Sequence, residues 1–470
     1  MIRSKFLFAG LGLSTLPMLP VEAQQKPNVV FILADDLGYG DLSCFGQEKF
    51  LTPHIDRLAL SGMRCTHTYA GSTVSAPSRA CLMTGLHSGH APIRGNKELE
   101  PEGQFSLPAN TYTLFRLFKD AGYTTGAFGK WGLGQPGSSG DPNHQGVDEF
   151  FGYNCQLLAH NYYPDHLWHN QTRVELPENA DGNFGTYSQD LIQQHTLRFI
   201  EENKSKPFFL YVPLVLPHAE LLVPEDSLFE NFKGKYPETP FKGTDSGPMF
   251  RKGGYASQLY PKAAYAAMVA RLDMYVGEIV EELKRQGIYD HTLIIFTSDN
   301  GPHREGGNDP DYFNSNGIYR GYKRDLYEGG IRVPTVVSWK GHVPSGTESH
   351  VAFAFWDYLP TFAELLGRKL PVMSDGISVL PTLTGKKKQK EHDFFYFEFH
   401  ELNGRQAVIR GNWKLLHLNL KGDAVYELYN IASDPSEVHN VISLYPDKAE
   451  ALKKLMQQAH TPDPNWPLFN

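Results

Sequence analysis

Four short apolar runs of this chain each lead into polar side chains that could do chemistry. In chain order, these polar residues are Asp35 and Asp36, Lys130, His218, and Asp299 and Asn300. In open α/β sheets, ligands bind beyond the carboxyl ends of the strands, so we expect these side chains to meet at one rim. One such pair alone would more often be a loop carboxylate or a helix cap. Four together indicate a functional site.

Three carboxylates and one amide in this set supply only hard oxygen ligands. Asp35, Asp36 and Asp299 would repel one another at one rim without a divalent cation between them. With Asn300 as a further oxygen donor, calcium is the first choice and magnesium the second. Zinc is disfavoured, because the set contains no His or Cys.

The apolar runs themselves predict the fold. Residues 29–33, 124–128, 208–212 and 293–297 are strand candidates. Between them, residues 113–121 and 265–286 space their apolar side chains as helices do. Strands that alternate with helices predict an α/β fold with a large, mainly parallel sheet flanked by helices.

The pattern changes after residue 385. Further strand candidates lie at 394–399, 407–410, 413–418 and 425–429, and a final helix begins near Pro446. This succession of short strands followed by a helix predicts a small C-terminal antiparallel sheet with one covering helix. We therefore expect an N-terminal α/β catalytic domain over residues 24–385 and a C-terminal α+β subdomain over residues 386–470.

The N-terminus has the pattern of a secretory signal. Arg3 and Lys5 precede an apolar stretch at 6–19, and Val-Glu-Ala at 21–23 is a small-x-small cleavage site. We expect residues 1–23 to be a signal peptide and the mature chain to be exported, periplasmic or secreted. An exported chain can form disulfides, but spacing alone does not choose between bridges and buried free thiols for the four cysteines, Cys44, Cys65, Cys81 and Cys155.

Composition excludes several protein classes. With 470 residues, 41% hydrophobic and 20% charged, the chain is neither disordered nor fibrous. Its net charge is 44 − 52 = −8 and its only basic run lies at 386–390, so we expect no nucleic-acid partner. Past the N-terminus, no apolar run approaches the roughly 18 residues that span a bilayer, so we expect no membrane span. The oligomeric state is not indicated.

Residues 75–85 read Ser-Ala-Pro-Ser-Arg-Ala-Cys-Leu-Met-Thr-Gly. This segment resembles the signature of the type I, formylglycine-dependent sulfatases of the alkaline phosphatase superfamily, in the form that begins with serine instead of cysteine. Other motifs of that family occur in the expected places: Asp-Asp at 35–36, Gly-Lys-Trp at 129–131, Pro-His at 217–218, Ser-Asp-Asn-Gly at 298–301, Gly-Tyr-Lys at 321–323 and Glu-Gly-Gly-Ile-Arg-Val-Pro at 328–334. The resemblance covers the chain from about residue 26 to the C-terminus.

The resemblance implies a sulfate-ester hydrolase whose nucleophile is made from Ser75. In that family a maturation enzyme oxidises this residue to formylglycine, whose hydrate attacks sulfur and then ejects sulfate as the aldehyde re-forms. By resemblance, calcium is held by Asp35, Asp36, Asp299, Asn300 and the modified Ser75, sulfate is bound by Arg79, Lys130 and Lys323, and the leaving oxygen is protonated by His218. Independently of the resemblance, Arg79 lies four residues after Ser75, which is about one helical turn. Both side chains can therefore face the same point if a helix begins at Ser75.

One position departs from the family pattern. Members commonly have a histidine two residues after the lysine of Gly-Lys-Trp, where this chain has Gly132. A substitute could come from His144, His160, His166 or His303, although any one of them is more often a surface histidine. Residues 159–168 combine aromatic and polar side chains suited to a sugar ring, or else form a loop that covers the sheet. The candidate substrate-binding residues are His160, Tyr162, His166 and His303.

Three functions remain open at this stage. An exported sulfatase acting on a sulfated carbohydrate is favoured, with galactose or N-acetylgalactosamine sulfate of a host or algal glycan as the first choice. A phosphate mono- or diesterase of the same superfamily could use Ser75 directly, because fold does not decide function. A non-catalytic protein that binds sulfated glycans would leave Ser75 unmodified.

Overall fold

The computed structural model describes residues 26–100, 102–386 and 388–469, so the predicted signal peptide at 1–23 lies outside the described residues. The strands of the described chain are β1 (Asn28–Ala34), β2 (Met63–Tyr69), β3 (Glu98–Leu99), β4 (Gly103–Gln104), β5 (Thr124–Lys130), β6 (Glu149–Tyr153), β7 (His166–His169), β8 (Thr172–Glu175), β9 (Phe208–Pro213), β10 (Thr292–Ser298), β11 (Arg332–Ser338), β12 (Thr347–Ser349), β13 (Phe353–Ala354), β14 (Phe395–Phe399), β15 (Arg405–Arg410), β16 (Trp413–Leu418) and β17 (Val425–Asn430). The α-helices of the same residues are α1 (Pro53–Leu60), α2 (Ser75–Thr84), α3 (Leu114–Asp120), α4 (Ser188–Asn203), α5 (Ser227–Glu230), α6 (Pro261–Arg285), α7 (Pro310–Phe313), α8 (Glu328–Ile331), α9 (Tyr358–Leu365), α10 (Leu380–Thr384) and α11 (Pro446–Ala459).

A large mixed sheet forms the body of the molecule. Its strand order is β12-β2-β11-β10-β1-β9-β5-β6-β7-β8, and β13 also pairs with β2. The central strands β10, β1, β9, β5 and β6 run parallel. Antiparallel strands β11 and β2 extend the sheet on one side, and β7 and β8 extend it on the other. The four strands predicted from the sequence are β1, β5, β9 and β10, and the α/β prediction is confirmed.

The centre of this sheet is covered on both faces. Every residue of β1 is buried, and its side chains alternate between two hydrophobic clusters. Val30 and Ile32 pack with residues of α4 and α6, whereas Phe31 and Leu33 pack with residues of α3 and α9. A strand buried on both faces needs an unbroken apolar run, which is the pattern that the sequence shows.

Both helices predicted between the strands are present. The one expected at 113–121 is α3, where Thr113 caps the helix by accepting a hydrogen bond from the Arg116 N–H. The one expected at 265–286 is α6, which begins four residues earlier than predicted, at Pro261. Proline suits the first position of a helix, since its missing N–H has no partner there in any case. None of the described helices combines the length and the apolar character that crossing a membrane requires.

The C-terminal strands form a separate antiparallel sheet of order β14-β15-β16-β17. Helix α11 covers one face of it, where Leu452 and Met456 pack against Val408 and Leu415. The predicted small sheet with one covering helix is therefore confirmed, while the boundary between residues 385 and 386 stays a prediction. The four cysteines are free thiols, which answers the question that their spacing left open.

A buried ion pair joins the loop between α2 and β3 to the C-terminal sheet. Arg94 donates to Glu398 of β14 at 2.9 Å, and His400 and His460 bond to the same carboxylate at 2.9 and 2.7 Å. Burial alone would raise the pKa of Glu398, but the hydrogen bonds from His400 and His460 and the charge of Arg94 lower it to about 2. The ionised carboxylate is therefore strongly preferred in the folded state.

We expect Glu398→Gln to lower the free energy of unfolding by about 3 kcal/mol at pH 7, because it leaves Arg94 buried without its partner. A carboxyl whose pKa falls from 4.5 to about 2 on folding stabilises the protein fully above pH 4.5. That contribution is lost as the pH falls from 4.5 toward 2, so the gap between variant and parent narrows there. Urea unfolding at pH 7 and pH 3 measures both values. Glu450→Gln, which breaks an exposed pair with Lys453, serves as the control, and an equal loss in the two variants would contradict the argument.

Candidate active site

The polar side chains predicted to share one rim do lie together. Asp35 and Asp36 follow β1 directly, and Asp299 follows the neighbouring parallel strand β10. The Asp299 N–H donates to the carbonyl of Ala34 at 3.0 Å, so the parallel pairing continues into the two acidic segments. Lys130 is the last residue of β5, and its Nζ lies 2.6 Å from Asp35 Oδ2. All four side chains are fully buried.

Ser75 is the first residue of helix α2, as the spacing to Arg79 required. Its hydroxyl donates to Asp35 Oδ1 at 3.0 Å, and Lys130 Nζ lies 3.4 Å from its Oγ. The next N–H of the helix, from Ala76, donates to Asn96 Oδ1 at 3.1 Å. The free N–H groups and the dipole of a helix N-terminus favour a negatively charged group at this position.

Arg79 lies between two carboxylates. Its guanidinium is 2.8 Å from Asp299 Oδ2 and 3.2 Å from Asp35 Oδ2, and it also donates to the carbonyl of Lys130. The resemblance assigns Arg79 to sulfate binding, and that role stays a prediction. The Arg79 side chain is fully buried, and its guanidinium donates four hydrogen bonds to these oxygens. These contacts link helix α2 to the two acidic segments that follow β1 and β10.

The carboxylates of the site differ in their tendency to ionise. Burial opposes the ionisation of Asp35, but Lys130 and Arg79 outweigh that cost and hold its pKa below the usual value. Burial raises the pKa of Asp299 to about 6, and the charge of Asp35 acts in the same direction. A group of buried carboxylates in this state would be stabilised by a further positive charge.

Asp36 is held by contacts on all sides. Its backbone has a φ of +62°, which is uncommon for residues other than glycine, and its N–H donates to Asp299 Oδ1 at 3.1 Å. Its carboxylate accepts from Asn300 Nδ2 at 2.6 Å and from Lys323 Nζ at 2.8 Å. The remaining oxygen of that amide, Asn300 Oδ1, is buried without a hydrogen-bond partner among the described residues.

This donor set fits a hard divalent cation. Asp35, Asp36 and Asp299 supply carboxylate oxygens, Ser75 supplies a hydroxyl, and the unpartnered Asn300 Oδ1 is an acceptor in need of a positive charge. Asp35 and Asp36 also belong, with His218, to a cluster of side chains close enough to share one ion. The residues therefore fit calcium, and its binding stays a prediction.

His218 and Lys323 form a second pair at the site. Lys323 Nζ lies 3.1 Å from His218 Nε2, and the other ring nitrogen of His218 bonds to the carbonyl of Ala219. Burial lowers the pKa of His218 well below its usual value, and the charge of Lys323 lowers it further. The imidazole is therefore neutral, with Nε2 accepting from the lysine. The sequence expected His218 to donate a proton near neutral pH, and that role stays a prediction. Within this pair, burial and the charge of Lys323 lower the pKa of His218 and disfavour its charged form.

A cavity of about 310 Å³ opens onto these groups. Its walls include Ser75, His218 and Lys323, which the sequence predicted. They also include residues that the sequence analysis missed: Asn96, Glu98, Gln156, Tyr255, Arg324 and Glu401. Of these six residues, only Arg324 could have been suspected from the sequence, because it directly follows the predicted site residue Lys323.

The four candidate substrate-binding residues are placed differently from one another. His160 lines the cavity, and its ring stacks on that of His218 at a centroid distance of 5.2 Å. The other three, Tyr162, His166 and His303, do not line this cavity. Tyr162 is fully buried, and its hydroxyl donates to the carbonyl of His218 at 2.7 Å. His303 is fully buried as well, with Nε2 3.0 Å from the carbonyl of Pro217.

His166 is a buried residue that does not line the site cavity. Its ring bonds to Glu102 at 2.8 Å and to Asp165 at 2.6 Å, beside a different cavity of about 490 Å³. His144 bonds to the carbonyl of Ser138 and does not line the site cavity either. Of the four histidines considered as substitutes at position 132, His160 alone therefore borders the cavity that contains Ser75.

Comparisons with known proteins agree with this geometry. The family model described as Sulfatase matches residues 27–368, and the one described as N-sulphoglucosamine sulphohydrolase, C-terminal, matches residues 317–462. The chain is 30% identical over 521 residues to N-acetylgalactosamine-6-O-sulfatase of Bacteroides thetaiotaomicron, an alignment that covers 93% of this chain and 94% of the relative. It is 30% identical over 486 residues to arylsulfatase A of Homo sapiens, with coverages of 92% and 87%.

Comparison with solved structures also finds a similar fold. The crystal structure of Ps i-CgsB in complex with k-i-k-neocarrahexaose matches with a TM-score of 0.77 and 28% identity, covering 94% of this chain and 95% of the other. The Sulfatase model alone spans more than half of the chain, including every residue described here at the rim of the sheet. The chain therefore belongs to the sulfatase family, whose members hydrolyse sulfate esters.

Proposed function

We propose that this protein is an exported sulfatase that removes sulfate from a carbohydrate, with galactose or N-acetylgalactosamine sulfate as the substrate class. The observation that carries the proposal is the Ser75 hydroxyl, which lies between Asp35 and Lys130 and borders a cavity that His218 and Lys323 also line. The related N-acetylgalactosamine-6-O-sulfatase and the structure bound to k-i-k-neocarrahexaose support a sugar substrate.

A bound cation would make the charges of the site more favourable for an anionic substrate. Asp35, Asp36 and Asp299 contribute three buried carboxyl groups, which the cationic side chains of Arg79, Lys130 and Lys323 contact directly. The formal charges of these six side chains cancel, so a further positive charge would strengthen the attraction of a sulfate ester. Calcium held by Asp35, Asp36, Asp299, Asn300 and Ser75 would supply that charge and polarise the ester as a Lewis acid.

The nucleophile is Ser75 in modified form. Formylglycine made from Ser75 by a maturation enzyme would supply the attacking oxygen and a route by which sulfate can leave. Lys130, 3.4 Å from Ser75 Oγ, stabilises negative charge on that oxygen. Arg79 acts through Asp35 and Asp299, because its hydrogen bonds fix both carboxylates.

The leaving oxygen receives its proton from the Lys323–His218 pair. Lys323 carries the proton, and His218 Nε2 accepts from it at 3.1 Å, so the pair can deliver a proton and neutralise the departing alkoxide. Tyr162 keeps the His218 backbone in place through its hydroxyl. In the overall reaction, one water and the sulfate ester give the free alcohol, sulfate and one proton.

The outer wall of the cavity suits a sugar. Glu98 and Glu401 offer carboxylate oxygens to hydroxyl groups, and Asn96 offers an amide. His160 and Tyr255 offer rings that lie 5.1 Å apart between centroids, against which the apolar face of a sugar can pack. Mixed polar and aromatic walls of this kind orient a small polar ligand.

A substrate panel tests the proposal. We expect protein carrying the modification to release free sulfate from at least one defined sulfated galactose or N-acetylgalactosamine, measured by ion chromatography with calcium present. Mass spectrometry should find the peptide containing residue 75 about two mass units lighter than the serine form, since oxidation removes two hydrogens.

Matched phosphate esters of the same sugars are the control for the panel. Faster phosphate release than sulfate release would favour the phosphate esterase. Binding of the sulfated sugars without any release, by protein whose modification is verified, would favour the glycan-binding protein.

A further inference from the structure

A glutamine occupies the space beside Gly132, the position where the motif of this chain departs from its family. Gly132 has a φ of +73°, and a Cβ built on it would lie 2.1 Å from Gln156 Nε2. Two backbone hydrogen bonds join the segment after β5 to the end of β6 and the residue that follows it. The Trp131 N–H donates to the carbonyl of Tyr153, and the Gly132 N–H donates to the carbonyl of Asn154. The carboxamide of Gln156 therefore fills the room that a side chain at position 132 would need.

That carboxamide has no established task in the described structure. Gln156 is 3% exposed, and its Nε2 is buried without a hydrogen-bond partner among the described residues. Its backbone is held firmly, since the Gln156 N–H donates to Gln104 Oε1 at 3.2 Å. Buried amides in native proteins nearly always have partners, and those that lack one are explained by a bound group or a functional role.

The position of Gln156 indicates what that partner is. Gln156 lines the same cavity of about 310 Å³ as Ser75, His218 and Lys323. It packs on Gly132, two residues after Lys130, whose ammonium lies 3.4 Å from Ser75 Oγ. Gln156 therefore shares a cavity wall with Ser75, in the cavity where an ester group would lie during reaction.

We propose that Gln156 is a substrate-binding residue of this site, whose carboxamide donates a hydrogen bond to a sulfate oxygen of the ester. The inference rests on the proposed function. It adds an uncharged hydrogen-bond donor for the sulfate group to the charged side chains of the site. A carboxamide does not titrate, so it orients the sulfate group without exchanging a proton with it. The residue is supplied by the segment after β6, whereas the family motif would place a side chain at the end of β5.

Three variants test the proposal. Gln156→Leu keeps the approximate size and removes the hydrogen bonds, and we expect it to lower kcat/KM for sulfate release by about tenfold or more. Gln156→Glu places a negative charge beside an anion, and we expect a larger loss. The pH profile of the remaining activity should keep its shape in Gln156→Leu, because no titrating group is removed. Gln193→Leu is the matched control, since that buried amide on α4 bonds to the Tyr275 carbonyl and does not line this cavity.

A binding measurement separates this inference from the proposed function. In a Ser75→Ala background, calorimetric titration with inorganic sulfate reports binding without turnover, and we expect Gln156→Leu to weaken it by about tenfold. Equal sulfate affinity with and without Gln156→Leu, together with parental kcat/KM in the single variant, would overturn the inference and leave the proposed function intact. An inactive parent protein whose sulfate binding still depends on Gln156 would overturn the function alone. Thermal unfolding of each variant checks that the fold is retained.

Discussion

Ser75→Ala should lower sulfate-ester turnover by about 10⁴-fold or more, while the chain still folds. The variant removes the oxygen from which the nucleophile is made. It leaves Asp35, Lys130 and the helix start of α2 in place, because the methyl group occupies less room than the hydroxymethyl group that it replaces. Free sulfate measured by ion chromatography over long incubations gives the residual rate. Thermal unfolding shows whether stability is kept.

Ser88→Ala is the matched control for this prediction. Ser88 is also fully buried, and its Oγ accepts a hydrogen bond from the N–H of Glu398 at 2.8 Å, away from the cavity. The control should lose some stability and retain turnover. Sulfate release by Ser75→Ala within tenfold of the parent rate would reject Ser75 as the source of the nucleophile.

Asp299→Asn should reduce calcium retention and turnover together, each on the order of 100-fold. The substitution keeps the shape of the side chain and removes one of the three carboxylates proposed to hold the ion. Asp299 Oδ2 also accepts from Arg79 at 2.8 Å, so the variant weakens the link between α2 and the end of β10. Calcium content by mass spectrometry of the dialysed protein and calcium titration measure the first effect. Sulfate release measures the second.

A second buried aspartate provides the control for Asp299→Asn. Asp273 is also buried, and burial raises its pKa to about 6, as it does for Asp299. Its carboxylate accepts hydrogen bonds from the backbone N–H groups of His54 and Ile55. Neither of these residues is a proposed calcium ligand. Asp273→Asn should leave calcium binding unchanged. Parental calcium content in Asp299→Asn would count against its assignment as a ligand.

The rim of the sheet could be predicted because its signal is local in the chain. A strand covered on both faces, such as β1, needs an unbroken apolar run, and a polar residue directly after such a run lies at the end of the strand. Asp35 and Asp299 follow their strands at once, so parallel pairing brings them together without further assumptions. Ser75 and Arg79 are likewise one helical turn apart, which predicts a shared face from the spacing alone.

The walls of the cavity could not be predicted in this way. Gln156 and Glu401 reach the cavity from loops whose course depends on how the two sheets and their connections pack. Tyr162 and His166 lie in a segment whose composition suits a sugar, yet Tyr162 points into the core and His166 bonds to Glu102. Composition describes which groups a loop offers, but not the direction in which each side chain points.

By itself, the sequence predicted the α/β architecture and the polar side chains that meet at the strand ends, and the spacing of Ser75 and Arg79 was compatible with a helix that begins at Ser75. Each of these follows from periodicity or from spacing within a few residues, where backbone geometry leaves little freedom. The tertiary structure decided that Arg79 contacts two carboxylates, that Lys323 lies beside His218, and that Gln156 packs against Gly132. Those contacts join residues distant in the chain, and burial and neighbouring charge, which set their chemistry, exist only once the chain has folded.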